Sequence, residues 1–157
     1  MKLNRILLIS VVLIEGAECC LPGWIGYGNK CYFFNSMPKE WGVASAYCHA
    51  MSAKLAEPRT EEEGHFLTSH AQKVGGNFWI GITDLIEEDM WMYASTQEPF
   101  NMTSSLWSAN EPNGYTTSNC GLLMVAYHSK LADYNCVYKE KSICELSEFS
   151  YKELDLN

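Results

Sequence analysis

Seven cysteines are the residues of this sequence with the clearest capacity for chemistry. No two of them form a Cys-x-x-Cys pair, and only His49, beside Cys48, lies close to any of them, so a thiolate zinc site is disfavoured. In an oxidising compartment an even set of cysteines forms disulfides, and six cysteines allow fifteen pairings. We therefore predict a disulfide-stabilised protein, with one cysteine in excess of an even set: Cys19, Cys20, Cys31, Cys48, Cys120, Cys136 and Cys144.

The other reactive side chains do not form a recognisable catalytic motif. The sequence has no Gly-x-Ser-x-Gly elbow, no His-Glu-x-x-His helix and no glycine-rich phosphate loop. His65 and His70 would lie about 140° apart around a helix, so they cannot share a metal ion. The acidic run 61–63 fits the start of a helix better than a catalytic carboxylate pair. We expect a binding protein and no enzymatic activity.

The first 19 residues have the layout of a secretory signal peptide. Lys2 and Arg5 precede an apolar run from Ile6 to Ile14, which is far shorter than the roughly 20 residues that span a bilayer. We predict cleavage between residues 16 and 19, a secreted, extracellular product and no membrane insertion. If Cys19 is retained after cleavage, it is available for a disulfide-linked homodimer.

The length and net charge of the chain predict that the mature protein is one acidic domain. The chain has 157 residues, 47% of them hydrophobic, which is too short for two full-sized domains and too apolar for a disordered chain. The net charge of −8 disfavours nucleic acid and anionic lipid surfaces as partners. We place the domain at residues 20–146 and an acidic C-terminal tail at 147–157.

Hydrophobic patterning predicts two helices followed by strands. One helix is expected to begin at Pro38, and a second at Thr60, where Glu63 would complete a capping box. Strand patterns follow from Asn77, interrupted by a long polar stretch, Ala94–Asn119, that includes a glycosylation sequon at Asn101. This order of elements is typical of an α+β domain with a long functional loop.

Short segments form an ordered pattern between Cys20 and Glu145: Cys20-Leu21-Pro22-Gly23-Trp24, Cys31-Tyr32, Ala46-Tyr47-Cys48, Leu55-Ala56-Glu57-Pro58, Trp79-Ile80-Gly81-Ile82-Thr83-Asp84, Trp91, Trp107, Glu111-Pro112-Asn113, Cys120, Cys136 and Ile143-Cys144-Glu145. In this order and at this spacing, they resemble the C-type lectin-like domain. The resemblance implies two helices packed on short antiparallel sheets, with a long irregular loop and three disulfides, Cys20–Cys31, Cys48–Cys144 and Cys120–Cys136.

The resemblance also implies a calcium-dependent sugar site. In sugar-binding members of the family, the long loop holds a calcium ion that ligates two vicinal sugar hydroxyls. By this resemblance Glu111, Asn113 and Asp133 bind both the ion and the sugar, and Pro112 is cis. The family associates Glu-Pro-Asn with mannose, glucose, fucose and N-acetylglucosamine, so the implied partners are glycans with mannose-type vicinal hydroxyls, including those on microbial surfaces. The implied role is innate immune recognition.

Two positions depart from the family pattern. Ser118 stands where a glutamate ligand is expected, and Ala132 replaces the asparagine of a Trp-Asn-Asp motif. Ser118 or Asn119 is the candidate for one replacement oxygen in the metal site. Because calcium takes six to eight oxygens, we expect weak binding, on the order of 10⁻⁴ to 10⁻³ M.

Two further expectations concern a second metal site and a rival function. Asp84 and Glu88 match ligands of a second calcium site found in some members, but Gly114 and Asn119 stand where carboxylates are expected, so we expect this site to be non-functional. The alternative function is a calcium-independent domain that binds a protein or another non-sugar ligand. The replacements at Ser118 and Ala132 favour that alternative, whereas the complete Glu-Pro-Asn motif favours a lectin.

Overall fold

The computed structural model describes residues 20–114 and 116–147. Within them lie two α-helices, α1 (Trp41–Ala50) and α2 (Glu61–Val74), and one short 3-10 helix, Val125–Tyr127. The strands are β1 (Ile25–Tyr27), β2 (Lys30–Lys39), β3 (Lys54–Leu55), β4 (Phe78–Thr83), β5 (Met92–Tyr93), β6 (Cys120–Met124), β7 (Lys130–Tyr134) and β8 (Glu140–Ser147). The predicted signal peptide with Cys19, and the predicted tail from residue 148 onward, lie outside the described residues. Ser147, which we had placed in that tail, is the last residue of β8.

The strands form one hydrogen-bonded network in the order β1-β2-β8-β4-β6-β7. The short strands β3 and β5 pair with β8 and β4, respectively. Most pairs are antiparallel, as expected, but β4 and β8 run parallel. The predicted α+β class is confirmed, with the strands joined in one mixed sheet. No helix of the described residues is long and apolar enough to cross a membrane.

The start of α1 differs from the sequence prediction. Pro38 does not open the helix but lies inside β2, and α1 begins at Trp41. The ladder between β2 and β8 shifts register between Asn35 and Lys39. Proline has no N–H to donate, so a strand tolerates it where the ladder is interrupted. The helical pattern of apolar residues after Pro38 therefore corresponds to α1, which begins three residues later, at Trp41.

The start of α2 follows the capping prediction in part. The Thr60 side chain accepts a hydrogen bond from the Glu63 N–H at 3.1 Å, as an N-cap should. The Glu63 carboxylate, however, reaches the Arg59 N–H at 2.8 Å and not that of Thr60. It also accepts a hydrogen bond from the buried Tyr32 hydroxyl and pairs with Lys30 at 2.6 Å. Glu63 thus ties α2 to β2 in addition to capping the helix.

The central strand β4 is buried along its whole length and needs a glycine. A Cβ at Gly81 would lie 2.8 Å from Glu57 Cγ and 2.9 Å from the Leu55 carbonyl oxygen. The segment that follows β3 therefore packs directly on the β4 backbone, and the Gly81 N–H donates to the Ala56 carbonyl at 2.8 Å. All three disulfides implied by the family resemblance are formed.

The long polar stretch contains no helix or regular strand within residues 94–114 and 116–119. It is nevertheless anchored by buried aromatic side chains. Trp107 packs edge-on against Trp91, with ring centroids 5.1 Å apart, and against Phe100 at 6.0 Å. Backbone hydrogen bonds join Phe100 to Trp91 and Ser108 to Leu131, each at 2.8 Å. The loop is irregular because its stability comes from these anchors and not from a repeating ladder.

Candidate functional site

The Glu-Pro-Asn segment lies where the long loop runs beside strand β7. The Ser108 N–H donates to the Leu131 carbonyl of β7 at 2.8 Å, and the Glu111 N–H donates to the Ser108 carbonyl at 3.1 Å. The peptide bond between Glu111 and Pro112 is cis, as the family resemblance implied. Glu111 and Asn113 lie on either side of Pro112, in the part of the loop that runs along β7.

Asp133 of β7 joins this segment. Its carboxylate is buried, and Oδ1 accepts a hydrogen bond from the Asn113 N–H at 2.8 Å. Strand β7 is held in register by its ladder with β6, in which Asp133 pairs with Gly121. The structure therefore brings together all three residues that the sequence proposed for the site, Glu111, Asn113 and Asp133.

The carboxylates of Glu111 and Asp133 repel each other. Burial, followed by the neighbouring Asp133, raises the pKa of Glu111 from its usual 4.5 to about 8. The buried Glu111 Oε2 has no hydrogen-bond partner among the described residues. A pair of nearby carboxylates with an oxygen left unsatisfied is an arrangement that a cation would stabilise.

This raised pKa makes the stability of the calcium-free protein depend on pH. Because the folded Glu111 binds a proton more tightly than the unfolded one, the free energy of unfolding should rise as the pH falls from about 8 toward 4.5. Thermal denaturation in EDTA at pH 8 and pH 6 measures the effect. Glu111→Gln, which mimics the neutral carboxyl, should lose this part of the dependence. Identical pH dependence in both proteins would contradict the electrostatic assignment.

The residues available to complete a metal site are fewer than in the family pattern. Asn119 Oδ1 is buried without a hydrogen-bond partner among the described residues, while the Asn119 carbonyl accepts from the Thr83 hydroxyl at 2.5 Å. Ser118 is half-buried, and Ala132 is buried and offers no side-chain oxygen. The donor set thus fits calcium through Glu111, Asn113 and Asp133, and Asn119 Oδ1 is one further buried oxygen without a partner among the described residues.

The second candidate site has one buried acid. Asp84 is buried, its Oδ2 accepts from the Asp89 N–H at 3.1 Å, and burial raises its pKa. Its Oδ1 has no hydrogen-bond partner among the described residues. Glu88 is exposed on the β4–β5 loop. Across residues 20–114 and 116–147 no three His, Cys, Asp or Glu side chains cluster closely enough to hold a metal, so neither site is rich in carboxylates.

Sequence reasoning missed one polar cluster outside this site. The Ser105 hydroxyl donates to Glu61 of α2 and lies 3.5 Å from His65 Nε2. The residue types match a serine–histidine–glutamate triad, but the hydroxyl gives its proton to the carboxylate, whereas a triad serine would give it to the histidine. The cluster therefore connects the loop to α2 and does not activate a nucleophile. Ser105 is 44 residues from Glu61, and no local pattern could indicate their contact.

The sequon asparagine lies in an exposed turn of the long loop. Asn101 Oδ1 accepts from the Thr103 N–H at 3.0 Å and from the Thr103 hydroxyl at 2.8 Å. The turn leaves Asn101 accessible. Its glycosylation stays a prediction.

Fold and site together define a small disulfide-stabilised α+β domain with a long irregular loop whose Glu-Pro-Asn segment meets Asp133 of β7. Residues 37–146 match the family model described as Lectin C-type domain, so the chain belongs to the C-type lectin domain family. Members of this family are generally binding proteins without enzymatic activity, and they include sugar-binding and non-sugar-binding domains.

Individual relatives support the same assignment. The chain is 33% identical over 136 residues to mouse C-type lectin domain family 4 member E, covering 85% of this chain and 63% of that protein. It is 31% identical to rat C-type lectin domain family 2 member D2 over 70% of this chain and 46% of that protein. This chain thus spans about half to two-thirds of the length of these relatives.

Solved structures also resemble the domain. The carbohydrate-recognition domain of mouse scavenger receptor C-type lectin superposes with a TM-score of 0.74 at 26% identity, covering 82% of this chain and 96% of that one. The corresponding domain of cow CD23, solved in the presence of a GlcNAc2Man3 oligosaccharide, gives 0.71 at 25% identity and covers 83% and 97%. A calcium-independent type II antifreeze protein shares the fold at 22% identity, with a TM-score of 0.72.

Proposed function

We propose that this domain binds glycans with mannose-type vicinal hydroxyls through a weakly held calcium ion. The observation that carries the proposal is the contact between Asn113 and the Asp133 carboxylate beside the cis Glu111-Pro112 bond. Calcium, when bound there, would accept lone pairs from two sugar hydroxyls. The Glu111 carboxylate would accept a hydrogen bond from a sugar hydroxyl, and the Asn113 amide would donate a hydrogen bond to a hydroxyl oxygen.

The weakness of the site follows from its donor set. Glu111 and Asp133 supply two carboxylates, while Ser118 and Ala132 replace the acid and the amide expected from the family. The calcium-free site also favours a proton on Glu111, which must leave before calcium binds. Micromolar calcium affinity in calorimetry without sugar would contradict this part of the proposal.

The wider role that we propose is that of a secreted recognition molecule of innate immunity that binds microbial surfaces. Single shallow sugar sites bind weakly, so useful avidity requires several copies. A disulfide through Cys19 would link two copies if that residue is retained in the mature chain. The domain's membership of the C-type lectin family supports this role.

Affinity chromatography tests the proposed sugar site directly. The purified mature protein should be retained on mannan-agarose in millimolar calcium and released by EDTA, and galactose-agarose should retain it less. Glu111→Gln should flow through, whereas Glu87→Gln, the same change at an exposed acid on the β4–β5 loop, should bind like the wild type. Retention that survives EDTA would show that calcium does not mediate binding.

A calcium-independent function is the second candidate. It is favoured by Ala132, which is buried and has no side-chain oxygen for a metal site. In this alternative a proton on Glu111, favoured by its raised pKa, takes the place of calcium in neutralising the repulsion between Glu111 and Asp133. Flow-through of the wild type on both resins, with and without calcium, would favour a protein or other non-sugar ligand.

A further inference from the structure

Hydrogen bonds connect the long loop to helix α2 at a place outside the proposed sugar site. Glu61, in the first turn of α2, accepts two hydrogen bonds on Oε2, one from the Ser105 N–H at 3.1 Å and one from the Ser105 hydroxyl. Bonds to an ionised acceptor are stronger than bonds between neutral groups. These bonds from Ser105 lower the pKa of Glu61, because they favour the ionised form of its carboxylate.

The same two-donor pattern occurs four residues earlier, in the non-helical segment before α2. Glu57 accepts from the Ser95 N–H and from the Ser95 hydroxyl, both at 2.7 Å. Glu57 is fully buried and also pairs with Lys54 and Arg59, so it belongs to the core of the domain. Glu61 is half-buried, and its bonds to Ser105 hold a later part of the same loop. Two acids four positions apart thus each bind one loop serine.

Residues beside Ser105 strengthen its contact with α2. Leu106 packs on Gly64 of the helix so closely that a Cβ at Gly64 would lie 2.4 Å from Leu106 Cδ2. On the opposite side, Lys130 of β7 donates to the Ser105 carbonyl at 3.2 Å. The start of the segment 105–111 is therefore held between α2 and β7.

Backbone hydrogen bonds continue from this point to the sugar site. The Leu131 N–H donates to the Leu106 carbonyl, and the Ser108 N–H donates to the Leu131 carbonyl, each at 2.8 Å. The Glu111 N–H then donates to the Ser108 carbonyl at 3.1 Å. Since Asp133 follows Leu131 by two residues on β7, displacement of the segment 105–111 changes the position of Glu111 relative to Asp133.

We propose that Glu61 is a positioning residue for the sugar site, acting through Ser105 and the segment 105–111 on Glu111. The inference rests on the proposed function. Glu61 itself does not contact the residues that would hold the ion or the sugar. Its contribution is to limit the movement of the loop so that Glu111 faces Asp133 before calcium arrives, which lowers the entropic cost of binding.

The test compares Glu61→Ala with Glu62→Ala, which removes the same charge from the same helical turn at an exposed position. Loss of two charge-assisted hydrogen bonds should weaken calcium affinity about tenfold in Glu61→Ala and less than about twofold in Glu62→Ala. Ser105→Ala in the Glu61→Ala background should add almost nothing, because the two residues act as one unit. Calorimetry gives the affinities, and amide hydrogen exchange across residues 105–111 reports the loop directly.

The outcomes separate this inference from the proposed function. Weaker calcium binding and faster exchange in Glu61→Ala, with Glu62→Ala unchanged, support the positioning role. Equal affinities and equal exchange in the two variants overturn it. If the wild type binds no calcium, the proposed function fails, and exchange alone decides whether Glu61 holds the segment: faster exchange only in Glu61→Ala supports it, and unchanged exchange overturns it.

Discussion

Replacing Cys48 and Cys144 together by alanine should destabilise the domain by about 4 to 5 kcal/mol, the largest stability effect that we expect from any pair of substitutions. The bridge joins residues 96 apart in the sequence, so without it the unfolded chain gains the conformational freedom of nearly the whole domain. Both cysteines are fully buried, Cys48 on α1 and Cys144 on β8. Urea denaturation of the purified variant measures the change in the free energy of unfolding.

The bridge between Cys20 and Cys31 provides the matched control. It spans only 11 residues, and the same chain-entropy relation gives about 3 kcal/mol for its loss. The double alanine variant at these positions should therefore be more stable than the variant lacking Cys48–Cys144. The reverse order would show that local packing at each bridge outweighs loop length.

Asp133→Asn should reduce calcium affinity by at least about 100-fold, or about 2.8 kcal/mol, while leaving the domain folded. The asparagine keeps the oxygen that accepts from the Asn113 N–H, but it removes one of the two carboxylates of the site. It also removes the repulsion that helps to raise the pKa of Glu111. The calcium-free variant should therefore be at least as stable as the wild type. Calorimetry and thermal denaturation in EDTA measure the two effects separately.

Glu87→Gln is the control for this experiment, since it removes one negative charge from an exposed position. Its calcium affinity and its stability in EDTA should both match the wild type. If Asp133→Asn binds calcium as tightly as Glu87→Gln, then Asp133 is not a ligand. If Asp133→Asn is instead markedly less stable in EDTA, the buried carboxylate has a structural role that its contact with Asn113 alone does not explain.

The two errors in the helix predictions share a cause. Pro38 was expected to open α1 because proline is common at the first helical position, but the same residue also suits an interruption in a strand ladder. The choice depends on β8, which pairs with β2 on both sides of that interruption. Glu63 was expected to cap Thr60, but Tyr32 and Lys30 on β2 compete for its carboxylate. In both cases a partner distant in sequence outweighed a local preference.

Two features could be predicted from neighbouring residues and the order of elements along the chain: the α+β class and the Thr60 cap. The disulfide pairing and the three residues proposed for the candidate site were predicted from the resemblance to a family pattern. Which polar groups come into contact could be known only from the tertiary structure. Asn113 donates a hydrogen bond to Asp133, which lies 20 residues away in the sequence, and Ser105 donates to Glu61, which lies 44 residues away. Such contacts depend on the path of the irregular loop. Buried aromatic side chains determine this path, and no periodic pattern in the sequence predicts it.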